Sequence, residues 1–365
     1  MLSIPTGTFD MISLKTASAA ISCAVLLASA PALAQDTTEP ADQPTPEMQA
    51  VLDKLADLGA KPFHELSVPE ARSQATPADA AKAVQWEERI PAGAEGRVMT
   101  QDIAIPTENG NLPARVYMPE GEGPFPVIVY YHGGGWVVAD INVYDATPRG
   151  LVVGTNAIVV SVDYRHAPEN KFPAQHEDAW AAYAWVVENI HTLNGDASRI
   201  AVAGESAGGN LAANVAIMAR DMEATVPVHQ LLVYPIAGDD MNTPSYREHA
   251  EAKPLGKADM EWFVEYVFSS MDETADPRVD LVDRDDLEDL PPATIINAEI
   301  DPLRSDGEML AEAMEADGVD VNQQTFAGVT HEFFGMAKVV PEAKEAMDLA
   351  ISDLNGAFAA AGEEN

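Results

Sequence analysis

The pentapeptide Gly204-Glu205-Ser206-Ala207-Gly208 sets a serine between small residues, the pattern of a sharp strand-to-helix turn that exposes a nucleophilic hydroxyl. Alone the pattern is weak: at roughly 7% each for Gly and Ser, a chain this long matches it by accident about one time in ten. Its surroundings strengthen it. The apolar run 200–203 ends directly before it, and a small-residue helical stretch, 207–219, begins directly after. A turn that strains Ser206 needs small neighbours, which Gly204 and Gly208 supply.

About 70 residues upstream stands His132-Gly133-Gly134-Gly135-Trp136. Three glycines let the backbone fold back and aim N–H groups into a cleft. When a serine attacks an ester, the carbonyl oxygen becomes an oxyanion, and donors fixed beforehand lower that barrier. Gly133 and Gly134 are the candidate donors, with the Ala207 N–H as the third. A phosphate loop is excluded, because no P-loop lysine follows and the GxGxxG spacing is absent.

A serine nucleophile needs a base, and eight histidines compete. His331 lies after the last expected strand, between Gly328 and Phe333, at the sheet end where the serine-bearing strand also stops. His132 shapes the glycine loop, and His166 lies in the turn Asp163-Tyr164-Arg165-His166-Ala167-Pro168. His64, His176, His191, His229 and His249 fall on helices, linkers or a strand's N-terminal end. The acid that orients the imidazole is assigned to Asp301, directly after the run 293–298; it is also placed to cap the following helix. Glu299 and Asp306 remain rivals. The order Ser206, Asp301, His331 is that of one known triad arrangement.

The elements carrying these residues alternate. Runs at 98–105, 112–118, 127–131, 157–163, 200–203, 228–234, 293–298 and 319–326 read as eight strands, most rich in Val and Ile. Helical stretches at 174–190, 207–222, 303–316 and near 341–360 separate or follow them, which predicts a mainly parallel sheet covered on both faces. The first two strands, joined at Asn109-Gly110-Asn111, form an expected antiparallel hairpin at one edge. Nearly 60 residues between the sixth and seventh strands exceed what one crossover needs. They hold an amphipathic stretch with Trp262, Phe263, Tyr266 and Val267. With residues 48–95 this insertion, about 237–272, makes a two-piece helical cap on a catalytic domain of 96–362.

At the N-terminus, Lys15 precedes an apolar run and Ala32-Leu33-Ala34 offers a small-x-small cleavage site. Residues 1–34 therefore read as a secretory signal, with Met11 a second candidate start, and 35–47 as a Pro- and acid-rich linker. Secreted or periplasmic location follows as an expectation. The one cysteine, Cys23, lies inside the signal, so disulfide and thiolate chemistry are excluded from the mature chain. A formal charge of −38, from 59 acidic and 21 basic residues, repels nucleic acid and anionic lipid.

Taken together, HGGGW, DYRHAPE, GESAGGN, PPATIINAEIDPLRSDG and the H-x-F at His331 resemble the hormone-sensitive-lipase-like carboxylesterases, bacterial family IV, across roughly 48–360. The resemblance implies an α/β-hydrolase fold, an eight-stranded mostly parallel sheet flanked by helices and a two-piece cap. It also implies no cofactor or metal, a small-molecule ester of short to medium acyl chain as substrate, and a homodimer through the last strand. A lactonase or amidase on the same triad, or a non-catalytic ligand-binding protein of the same fold, are the alternatives. Three positions depart from the family pattern: Glu332 replaces the usual Gly after the histidine, Ser305 a common Asp, and Glu205 the more usual Asp before the serine. Glu332 is expected to raise the basicity of His331.

Overall fold

The computed structural model describes residues 43–363; the expected signal segment 1–34 and most of the linker lie outside them. Eight strands form one sheet: β1 (Met99–Thr107), β2 (Gly110–Met118), β3 (Phe125–Tyr131), β4 (Ile158–Val162), β5 (Gly195–Glu205), β6 (Gln230–Val233), β7 (Ala293–Ile300) and β8 (Val321–Thr330). They lie in the order β1-β2-β4-β3-β5-β6-β7-β8. The β1–β2 hairpin and the β2–β4 pair are antiparallel, and every later pairing is parallel. β5 departs most from its expected bounds, extending at both ends of 200–203. Its first residue pairs with Phe125 across an irregularity in the β3–β5 ladder.

Among the described residues ten α-helices accompany the sheet: α1 (Pro46–Asp57), α2 (Val68–Ser73), α3 (Pro77–Glu87), α4 (Ala146–Thr155), α5 (Ala174–Asn189), α6 (Ala207–Asp221), α7 (Pro244–Glu248), α8 (Lys257–Val267), α9 (Arg304–Ala316) and α10 (Pro341–Glu363). Side chains alternate across a strand, so β3 sends Val127, Val129 and Tyr131 to one face and Ile128 and Tyr130 to the other. On the first face α5, α6 and α9 bury Val186, Leu211 and Leu310. On the second, α4 and α10 bury Leu151, Ala346 and Leu354. With both faces covered, the central strands are continuously apolar rather than alternating, and each fully buried Val or Ile contributes about 1.5–3 kcal/mol.

α4 had no sequence signal. Pro148, Gly150, Gly154 and its β-branched residues give it a poor intrinsic propensity; packing onto the sheet and α10 holds it. α1 begins with Pro46 behind the Thr45 cap, and Thr76 and Asp79 cap α3 reciprocally, which is where these helices gain definite ends. The N-terminal segment and the β6–β7 insertion meet. Phe63 lies 5.9 Å from the Trp262 ring and 5.1 Å from that of Phe263, and the Trp262 indole donates to the Leu66 carbonyl at 3.1 Å. Among the described residues no helix is long and apolar enough to cross a membrane.

Candidate active site

β5 ends at Glu205 and α6 begins at Ala207, leaving Ser206 between them at φ 56°, ψ −119°. An L residue in such a conformation costs about 1–3 kcal/mol and persists only where its surroundings over-determine it. Here they do. The Ser206 N–H donates to Val233 at 2.8 Å, and its carbonyl accepts from Asn210 and Ile236 at 3.2 and 3.3 Å. Close packing beneath the turn requires glycine: a Cβ on Gly208 would stand 2.0 Å from the Tyr131 carbonyl oxygen.

The next pair is set by strand register. Ile300 is the register partner of Thr330 on the parallel strands β7 and β8, so the residues after them, Asp301 and His331, emerge side by side. His331 Nδ1 lies 2.6 Å from Asp301 Oδ2, and both side chains are buried. The other oxygen, Oδ1, accepts the Leu303 N–H at 2.9 Å, so one carboxylate orients the ring and satisfies the turn that leads into α9. The rival acids are spent elsewhere. Glu299 accepts the Gly328 N–H at 2.7 Å, and Asp306 accepts those of Ala237 and Gly238, each at 3.1 Å.

Several other histidines have separate partners: His176 meets Asn210 and His229 meets Thr294, each at 2.9 Å, and His64 meets Asp259 at 2.8 Å. His132 spends Nδ1 on the Gly133 carbonyl at 2.8 Å. The glycine loop follows β3, with Gly134 at φ +100°, a value that strains any side chain. Tyr164 pins it by donating to the His132 carbonyl at 2.8 Å. Among the described residues the N–H groups of Gly133 and Gly134 meet no acceptor, and Ala207 opens α6, whose first N–H groups have no preceding turn to bond.

These loops converge. Gly134, Gly135, Ser206 and His331 all line one cavity of about 270 Å³; Gly133 and Ala207 are not part of its lining. Its walls are largely apolar and come from both outer segments, with Leu52, Leu55 and Phe63 from one and Leu255, Met260 and Phe263 from the other.

Beneath the serine and histidine lies a group of polar side chains that sequence reasoning missed in part. Glu205 accepts hydrogen bonds from Tyr130, at 2.6 Å, and from Tyr234. The Tyr234 ring also packs against His331, centroids 4.4 Å apart, and the Tyr144 hydroxyl donates to Glu332 at 2.5 Å. Burial pushes Glu205 up to about 7, and nearby Glu332 adds to the rise, although the tyrosines stabilise the charged form. Glu332 is raised by burial too, opposed by His331 and Tyr144. For His331 burial pulls the pKa down, but the charge and hydrogen bond of Asp301, with Glu332 and Glu205 behind, outweigh it and leave it above the ordinary value. Glu332 was visible as the residue after His331; nothing in the sequence marks Tyr130, Tyr144 or Tyr234.

A family profile described as alpha/beta hydrolase fold matches residues 128–335. The carboxylesterase NlhH of Mycobacterium tuberculosis is 44% identical over 253 residues, 68% of this chain and 79% of that protein. The ethyl acetate hydrolase of Pseudomonas putida is 31% identical over 319 residues, 85% of this chain and 98% of that one. Among solved structures, a hyperthermophilic esterase from Pyrobaculum calidifontis superposes with a TM-score of 0.77 at 35% identity, covering 86% of this chain and 98% of its own. The chain belongs to the α/β-hydrolase family, within its hormone-sensitive-lipase-like branch of carboxylic ester hydrolases.

Proposed function

We propose that the protein hydrolyses short- to medium-chain acyl esters through an acyl-enzyme on Ser206. His331 takes the hydroxyl proton as the serine attacks the carbonyl, then gives it to the departing alcohol. Water, activated by the same imidazole, releases the acid. Asp301 holds the ring in the tautomer whose Nε2 accepts a proton and stabilises the imidazolium. The N–H groups of Gly133, Gly134 and Ala207 receive the oxyanion. The observation carrying this reading is the 2.6 Å His331–Asp301 contact on a cavity that Ser206 also lines.

The cavity supports the substrate range. About 270 Å³ lies just below the usual range of ligand pockets, roughly 300–1,000 Å³, and its apolar walls suit an acyl chain. The test combines p-nitrophenyl esters graded from acetate to palmitate with labelling by a serine-reactive phosphonate. Ser206→Ala lowers turnover by roughly 10⁴–10⁶ and abolishes labelling while the melting curve is retained. A tenfold loss puts the nucleophile elsewhere, and a maximum at palmitate overturns the acyl range.

Export by the 1–34 segment belongs to the same reading, supported by its basic residue, apolar run and small-x-small site. Protein recovered from the periplasm or medium then begins at Gln35. A dimer is proposed through β8, which lies at a sheet edge; sedimentation at the monomer mass overturns it.

A further inference from the structure

The ester chemistry leaves one polar cluster unused. β3 and β4 are parallel, with Tyr131 the register partner of Val162, so His132 and Asp163 emerge next to each other at their ends. His166, three residues on, joins them. Each of the three offers one ligand atom, and these atoms all lie within 4.8 Å of one another. His132 Nδ1 faces the Gly133 carbonyl at 2.8 Å. A carbonyl only accepts, so Nδ1 carries the hydrogen and Nε2 presents a bare lone pair. That Nε2 is buried without a hydrogen-bond partner among the described residues, and so is Nε2 of His166. His132 itself is fully buried. Its Nε2 stands 3.8 Å from Asp163 Oδ1, too far for a hydrogen bond.

We propose that His132, Asp163 and His166 form a binding site for one divalent transition-metal ion, Zn²⁺ by chemical class. Two imidazole nitrogens and a carboxylate oxygen are a donor set that such ions take. At ligand distances of about 2.0–2.2 Å, tetrahedral donors lie roughly 3.3–3.6 Å apart. The 3.8 Å pair therefore needs only a small closure, and a pair at the 4.8 Å limit roughly 1.2–1.5 Å. The Nδ1–carbonyl bond of His132 is the outer support that fixes a metal-binding tautomer. Burial holds both imidazoles in the unprotonated ligand form, His132 at about 3 and His166 at about 4. Burial, with Asp140 nearby, raises Asp163 to about 6, a cost that a bound cation removes. The Asp163 side chain keeps 30% of its surface exposed, which gives an ion an entrance and room for water as a further ligand. The site lies behind the glycine loop, and ester hydrolysis on Ser206 does not require it. Occupied, it ties the loop after β3 to the loop after β4.

The full-length protein, freed of metal by a chelator, is titrated with Zn²⁺ by calorimetry in excess Mg²⁺. Mg²⁺ occupies exposed carboxylates but not imidazoles, so the acidic surface is silenced. The expected result is one Zn²⁺ per chain, with a Kd on the order of micromolar or tighter. Binding should weaken at least tenfold in His166→Leu and in Asp163→Asn, and Zn²⁺ should raise the melting temperature of the wild type alone. Co²⁺ added to the wild type should give visible d–d absorption that Zn²⁺ displaces, a readout independent of whether the variants fold. No stoichiometric Zn²⁺ binding, binding unchanged in a folded His166→Leu, or no Co²⁺ absorption overturns the proposal and makes the trio a hydrogen-bonded cluster around water.

Discussion

Replacing Asp301 by asparagine isolates the orienting role of one charge. With the His331 Nδ1 to Asp301 Oδ2 separation of 2.6 Å and an effective dielectric of about 20, the attraction between imidazolium and carboxylate is about 6 kcal/mol. At about 1.36 kcal/mol per decade this bounds the rate loss between 10⁴ and 10⁵; spreading of the imidazolium charge over both nitrogens brings the expectation to about 10⁴. The tautomer acts in the same direction. An asparagine amide turned toward Nδ1 donates a hydrogen and moves the ring proton to Nε2, where the nucleophile's proton must go. The fold should survive, because asparagine keeps an Oδ1 able to accept the Leu303 N–H. kcat and KM are measured with p-nitrophenyl butyrate, alongside a circular-dichroism melt. A 10⁴-fold fall in kcat with KM nearly constant is expected. A fall under tenfold in a folded variant refutes the reasoning and returns the role to Glu299 or Asp306.

Glu332→Gln removes a charge that raises His331; since the imidazole must be neutral to act as base, the acid limb of kcat/KM moves to lower pH, and superimposable profiles reject the coupling. Glu205 is raised to about 7 from 4.5, so the native state binds the extra proton between those pH values and stability falls as pH rises through them, by on the order of 3 kcal/mol. Urea midpoints for Glu205→Gln should lose that part of the pH slope, and parallel slopes for variant and wild type contradict it. Gly208→Ala forces a methyl onto the Tyr131 carbonyl and should cost about 3 kcal/mol or more; an unchanged urea midpoint disproves the packing argument.

The residues of the proposed triad could be singled out because each sits directly beyond a strand end. Ser206 carries a local motif, and Asp301 and His331 follow apolar runs whose ends the sequence marks. Their contact depends on the Ile300–Thr330 register, which a β-strand pattern brackets but does not state. The tyrosines were not legible. Tyr130 reads as one more core residue of β3, and only the fold turns its hydroxyl toward Glu205. Tyr234 stands at φ 35° just past β6, and the Pro235 that follows it biases its predecessor toward extended backbone, so the sequence points away from the conformation the turn adopts. α4 was missed because its stability is tertiary, lent by the sheet and α10 to a stretch with two glycines and an early proline. The aromatic residues near Trp262 could be read as an amphipathic helix, but their partner Phe63, some 200 positions earlier, could not.

That distance has a consequence for how the molecule comes into being. His64 reaches Asp259 across 195 positions of chain, so although α1 can pack on nearby α3 early, the link between α1 and α2 waits for the β6–β7 insertion before it finds its neighbour. Until then the apolar sides of Phe63 and Leu66 face water, and closing so long a loop is slow relative to local folding. The serine turn can therefore exist before the chamber above it does. A truncation that spares every strand but removes residues before 68 should leave a bared floor that sticks to other chains.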